Sequence, residues 1–175
     1  MAEHSPEVRA LETVADLMCL AARTAPKARG LDNLYIAVLR GEEKAKITAR
    51  MRDIAAADPK ALFFARDAAN CDAAPLVVLI GSRFGPLGIP HCGFCGHENC
   101  EACVKAGGRC AYNAGDLGIA LASAAAVAAA HHADNRMMFS FGKAAIEAGL
   151  LPPEVQIAFA IPLSATGKNP FFDRK

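Results

Sequence analysis

The chain carries almost no net charge: 19 Lys and Arg against 18 Asp and Glu leave a formal +1. That balance removes the electrostatic case for nucleic acid or an anionic membrane as partner, since both call for a basic excess. Long apolar runs are also missing. The longest, Leu117 to Ala130, is mostly alanine and falls short of the roughly 20 residues of a membrane span, so it is expected to be a helix buried in protein. The opening M-A-E-H-S-P-E-V-R is polar with no apolar stretch behind it, so no export signal is expected and the predicted location is the cytoplasm. The glycines between Gly81 and Gly88 are not followed by G-K-[ST], which excludes a Walker-type phosphate loop. A G-x-S-x-G nucleophile elbow is absent too, and no nucleophilic triad can be assembled.

What is present is a compact, core-forming composition, 53% hydrophobic and 21% charged. At 175 residues the chain is long enough for one real core, and with no repeat or linker it is expected to be a single domain, 1–175. Ser5-Pro6-Glu7 is a helix start, with Ser5 as N-cap and proline in the first turn. Leu11, Val14, Ala15, Met18 and Ala22 then recur at helical spacing, and Pro26 ends the helix. Leu34 to Leu39 is a short apolar run that suits a buried strand. Glu42 to Ala57 is predicted as a surface helix with Ile47, Met51 and Ile54 inward and its Lys, Arg and Glu elsewhere. Asp58-Pro59 restarts a helix expected to carry Leu62, Phe63 and Phe64 inward. Leu76 to Ile80 is the strongest strand signal. After the cysteines, Asp116 to His132 is predicted as an alanine-rich helix and Gly142 to Leu151 as another short one. Val155 to Ile161 is predicted as a third strand. Met137, Met138, Phe139 and Phe141 are expected in the core, whereas Phe171 and Phe172 look exposed. The fold class is α+β in layers.

Five of the seven cysteines fall between His91 and Tyr112, at Cys92, Cys95, Cys100, Cys103 and Cys110. In a reducing compartment such clustering favours metal or redox chemistry over disulfides, and the odd count agrees. The glycines of C-G-F-C-G permit the turn that aims two thiolates at one centre. The pattern C-x2-C-x4-C, completed by Cys110, fits one iron–sulfur cluster on Cys92, Cys95, Cys100 and Cys110. Counted from Cys95, the spacing C-x4-C-x2-C is also that of plant-type ferredoxins, although Cys110 follows too soon for their distant fourth ligand. Zinc is the competitor, with two C-x2-C pairs but a spacer of only four residues. Cys103, like Cys19 and Cys71, is expected to pack as a small hydrophobe. His91 and His97 flank ligands. His131, His132 and Asp134 are more simply a hydrogen-bonded loop than a metal site, because adjacent helical side chains diverge.

Over almost its full length the chain resembles a family of microbial proteins described as ferredoxin-domain-containing. The resemblance rests on A-A-R-T-A-P-K-A-R-G-L-D-N-L, F-A-R-D-A, C-G-F-C-G-H-E-N-C, C-A-Y-N-A-G-D-L-G-I-A-L, D-N-R-M-M-F-S-F-G and I-P-L-S-A-T-G-K-N-P-F-F-D-R. The cysteine segment is also similar to the 4Fe–4S module of larger corrinoid and reductase subunits, which implies a 4Fe–4S cluster on Cys92, Cys95, Cys100 and Cys110. A weaker resemblance is to FMN-dependent nitroreductases, through Ala25-Pro26-Lys27 to Asn33, through Asp116-Leu117-Gly118-Ile119-Ala120 and through Ile157 to Arg174. It implies a nitroreductase-like α+β domain with the iron–sulfur loop 91–112 inserted between strand 76–80 and helix 116–132. It also implies a homodimer with FMN at the subunit interface.

A flavin phosphate wants Arg or Lys in a donor-rich pocket. Arg23, Lys27, Arg29, Lys168 and Arg174 are the candidate cations, with Thr24 and Asn33 as further polar contacts. For Arg23, Lys27 and Arg29 the plainer role is complementing a helix C-terminus. The expected function is an iron–sulfur, FMN-containing redox protein, moving electrons to a partner protein or reducing a small molecule. The alternative is a binding or assembly module in which the metal only stiffens the loop.

Overall fold

The computed structural model describes residues 5–172. Arg174 lies outside the described residues. Six helices and four strands follow in the order α1 (Pro6–Thr24), β1 (Leu34–Leu39), α2 (Gly41–Ala57), α3 (Phe63–Ala73), β2 (Leu76–Arg83), α4 (Cys100–Lys105), α5 (Ala111–Ala130), β3 (Asp134–Asn135), α6 (Phe139–Glu147) and β4 (Val155–Ser164). The strands form one sheet, β1-β2-β4-β3, antiparallel throughout.

β2 is the centre of the molecule. Side chains alternate across a strand, so Val77 and Leu79 join one core while Leu76, Val78 and Ile80 join the other. A strand covered on both faces has no polar side, which is why this run is continuously apolar. The first core lies under α2, α3 and α6, around Met51, Phe64, Met138 and Phe141. The second lies under α1 and α5, around Leu11, Met18, Leu117 and Leu121. The result is a sheet sandwiched between two helical layers, an α+β fold.

Local chemistry sets the element ends. Ser5 Oγ accepts from the Val8 amide at 3.4 Å and caps α1, which stops at Thr24 ahead of Pro26. Several boundaries and burials differ from the sequence reading. α5 begins at Ala111, five residues earlier than predicted, and so absorbs the end of the cysteine segment. α6 begins at Phe139, not Gly142, and the two-residue β3 carries no sequence signal. Leu62 is exposed and Phe63 partly so, because a 3-10 turn at Pro59–Ala61 rotates the start of α3 and leaves only Phe64 inward. Met137 and Phe139 are exposed whereas Met138 and Phe141 are buried. Phe171 is buried and only Phe172 stands out. Lys44, placed on the solvent side of α2, is buried, with its ammonium donating to the carbonyls of Asp72 and Ala74.

Among the described residues one helix, α5, is long and apolar enough to cross a membrane by length and composition. Here one side of it packs on α1 and on the sheet.

Candidate metal centre

The chain leaves β2 at Arg83 and runs without helix or strand to Asn99. Within this stretch Gly93 and Gly96 take φ of 62° and 81°, on either side of Cys95. The left-handed region is open to glycine without cost, so the C-G-F-C-G spacing turns the chain back on itself. Asn99 then caps α4, its Oδ1 accepting from the Ala102 amide at 2.9 Å. Cys100 therefore opens α4 and Cys103 follows three residues on, the spacing that shares a helix face. The amide of Gly108 donates to the Cys103 carbonyl at 2.8 Å and closes the turn. Cys110 is the N-cap residue of α5.

These elements bring all five clustered cysteines to the wall of one cavity of about 390 Å³. None of them is in a disulfide. Four are half-buried and Cys103 is buried. Burial pushes the Cys103 thiol up, and a hydrogen bond with Cys95 and the charges of Cys95, Cys110 and Cys100 act in the same direction. Among the described residues, no three His, Cys, Asp or Glu side chains are drawn close enough together to hold a single metal ion.

The rim has features that sequence reasoning passed over. Arg109 places its guanidinium 4.7 Å from the centre of the Phe84 ring and donates to Gln156 Oε1, and all three residues line the cavity. Asn113 is buried one turn into α5, with Oδ1 accepting from the Gly85 amide at 2.9 Å. Its Nδ2 is the buried side-chain polar atom without a partner among the described residues. The adjacency of Arg109 to Cys110 was visible in the sequence. The place of Asn113 was not, because the early start of α5 is what turns it inward.

The candidate flavin residues are arranged differently. Arg23 pairs with Asp32 at 2.5 Å and also donates to the Leu34 carbonyl at 3.1 Å. Lys27 Nζ donates to the carbonyls of Ala22, Arg23 and Ala25 and so caps the C-terminal end of α1. Arg29 donates to the Leu87 carbonyl, and Thr24 Oγ1 to the Leu20 carbonyl at 2.9 Å. Asn33 accepts from the Arg83 amide through its backbone carbonyl. Lys168 also has a partner. Arg23, Lys27 and Arg29 are thus each held by protein oxygens. A second hollow, about 400 Å³, opens beside them and is lined by Pro26, Lys27, Phe94, Tyr112, Asp116 and Ile119 among others. Phe94 and Tyr112 stack there at 5.7 Å, and Asp116 accepts from the Ala28 amide at 3.1 Å. Ala111 lines both hollows, so the first turn of α5 separates them.

An uncharacterized protein of Archaeoglobus fulgidus is 37% identical over 172 residues, covering 94% of this chain and 91% of that one. The profile of a family described as uncharacterized proteins containing a ferredoxin domain (DUF2148) matches residues 106–174. The chain belongs to this ferredoxin-domain family. The profile match begins after four of the five clustered cysteines. Among solved structures, this ferredoxin-domain protein is similar to a nitroreductase with bound FMN from Desulfitobacterium hafniense, at 15% identity and a TM-score of 0.59 over 95% of this chain and 81% of that one. A nitroreductase family protein from Clostridium difficile 630 gives 17% identity and a TM-score of 0.59, over 96% and 77%. At such identities the likeness is one of fold. The ferredoxin-domain protein has a nitroreductase-like fold, with its cysteine segment between β2 and α5.

Proposed function

We propose that this chain is an iron–sulfur redox protein whose cysteine segment holds one cluster by its thiolates. The observation that carries the reading is the gathering of five thiols around one cavity at the N-terminus of α5. The residues fit such a group. Their donors are soft thiolates, the ligands that iron–sulfur clusters take. All five line one cavity of about 390 Å³, which leaves room for a polynuclear centre. Cys92, Cys95, Cys100 and Cys110, the quartet nominated by sequence, all line that space, and four thiolates match a 4Fe–4S cluster.

When bound, the cluster supplies one-electron transfer. The chain holds it and sets its surroundings. Arg109 and the uncapped N-terminus of α5 present positive charge to an anionic group, which favours its more negative, reduced state. The electron partner is a second redox protein or a small molecule, in a reducing, cytoplasmic setting. Purification without oxygen, with absorption spectroscopy and iron and sulfide assays, tests the reading. A brown protein with equal iron and sulfide supports it. A colourless zinc protein would instead leave the metal-stabilised binding module.

A second reading adds FMN, favoured by the fold and by the FMN bound to the similar nitroreductase. Arg23, Lys27 and Arg29 are held by protein oxygens, so a flavin phosphate would compete with those oxygens for them. Heat denaturation followed by flavin fluorescence of the supernatant decides it. The same reading expects a homodimer. α5 turns an uncharged side with Ala114, Gly118, Ala122 and Ala126 to solvent, where a second copy could approach closely. Light scattering near twice 18.3 kDa would support this, and Ala122→Glu is expected to give monomer.

A further inference from the structure

Arg29 holds a left-handed backbone, with φ at 56°, a conformation that disfavours every residue but glycine. Its side chain reaches the segment that bears the cysteines. The guanidinium donates to the carbonyl of Leu87, 58 positions further along the chain. We propose that Arg29 is a positioning residue of the metal centre: it pins this segment at Leu87 and so brings Cys92 and Cys95 to the cavity they share with Cys100, Cys103 and Cys110. The proposal rests on the iron–sulfur reading above and gives Arg29 a role other than the phosphate contact expected from the sequence.

The contact is prepared from both sides. Leu87 is buried, at 3% exposure, and a buried carbonyl left without a donor is costly. Arg29 supplies that donor. The next residue, Gly88, has φ of 64°, and a Cβ there would lie 3.3 Å from Arg29 Nη1. The chain therefore carries no side chain where the guanidinium arrives. On the other side, the turn that presents Arg29 is fastened to α5. The Ala28 amide donates to both carboxylate oxygens of Asp116, at 3.2 and 3.1 Å. One helix turn earlier on α5, Asn113 Oδ1 accepts from the Gly85 amide at 2.9 Å. α5 also begins at Cys110, its N-cap residue. The helix that presents one thiol thus grips the cysteine segment twice, at Gly85 directly and at Leu87 through Arg29.

The grip bears on the cavity itself. Gly85, Pro86, Ile89 and Pro90 line it, so Leu87 is pinned in the middle of a stretch of its wall. Pro86 and Pro90 fix φ on either side of Leu87, which limits how much of a shift there the chain can absorb before Cys92.

The test is Arg29→Gly, which removes the guanidinium and relieves the left-handed backbone in one change. A general loss of stability and a loss of positioning then separate. Wild type and variant are prepared without oxygen and assayed for iron and sulfide, and the rate of iron release to a chelator is followed. The melting temperature is measured on protein already stripped of iron, and hydrogen exchange is read at the Arg83 and Gly85 amides, which bond to Asn33 and Asn113. Arg29→Gly is expected to release iron roughly two- to fivefold faster, the span of a charged contact partly screened by water. The stripped variant should melt with the stripped wild type, and the two amides should exchange faster. Iron release at the wild-type rate overturns the proposal. So does faster release accompanied by a lower melting temperature of the stripped variant, because Arg29 would then support the fold at large. Wild-type protein free of iron and sulfide would defeat the cluster reading, and the role at the metal centre with it. Exchange at Arg83 and Gly85 would still show whether Arg29 holds the segment.

Discussion

Gly108 is built against Cys103: a Cβ at position 108 would come within 2.9 Å of the cysteine sulfur and 2.8 Å of His97 Nε2. The imidazole can swing away, but the thiol is fixed by the turn of α4 and by the bond from the Gly108 amide to its own carbonyl. Gly108→Ala should therefore act mainly through that sulfur. Overpacking of this kind costs about 1–3 kcal/mol, and the mobile imidazole places this case near the lower end. The expected outcome is reduced iron and sulfide in anaerobically purified protein with an almost unchanged far-UV spectrum. Wild-type iron content in Gly108→Ala would show that the cavity tolerates the shift.

A second glycine is under tighter constraint and lies far from the cysteines. A Cβ on Gly142 would fall 2.0 Å from the carbonyl oxygen of Ala158, which is backbone and cannot rotate aside. α6 and β4 approach here as closely as two backbones can, on the face that buries Phe141 and Ala144. Gly142→Ala should destabilise the fold by about 3 kcal/mol, the upper part of the overpacking range. A chain of this size would then melt roughly 6–12 °C lower. Thermal denaturation checks this, and an unchanged melting temperature would mean that α6 slides freely on the sheet.

That contact also shows what a single sequence can and cannot disclose. β2 and β4 were legible because a largely buried strand is nearly continuously apolar, and the start of α1 because Ser5 and Pro6 have local chemical roles; β1 has the same apolar run but, at the sheet edge, is only half-buried beyond Leu34. The gathering of five thiols in one place was legible from their spacing, and the structure puts all five on one cavity wall. The inward turn of Phe171, the burial of Lys44 and the exposure of Leu62 were not. Each depends on which neighbour arrives across the fold, and no local pattern encodes that.

Stability should fall in acid through a small set of paired carboxylates. Burial raises the Asp32 carboxyl, but the Arg23 hydrogen bond, the Leu34 amide and the charges of Arg23 and Lys27 outweigh it and leave it below its usual value. Asp72 follows the same logic, with burial opposed by hydrogen bonds from Arg52 and Thr48 and by the charges of Arg52 and Lys44. Glu147 is lowered first by its hydrogen bond from Lys143. A carboxylate depressed in the folded state stabilises fully above its unfolded value, near pH 4, and loses that contribution as pH falls through the folded value. Melting temperature should thus be flat across mildly acidic pH and drop below about pH 4. Asp72→Asn should melt lower than wild type at pH 7, with the gap closing in acid. A gap independent of pH would remove Asp72 from the account.

Cys71 should be chemically silent while the protein is folded. Burial, together with the nearby charge of Asp67, pushes its thiol up to about 12, and its sulfur packs 3.6 Å from Met138 Sδ within the apolar core. The thiolate is the reactive form, so near pH 8 the folded protein offers almost none at this position. Iodoacetamide followed by peptide mapping should leave Cys71 unmodified in native protein and label it once denaturant is added. The lag before labelling under native conditions then reports opening of the core formed by α2, α3 and α6, independently of any metal. Gly142→Ala, which strains the same core, should shorten that lag, whereas Gly108→Ala, which touches only the cysteine turn, should not. Equal labelling rates in the two variants would mean that this core opens as one unit with the cysteine segment.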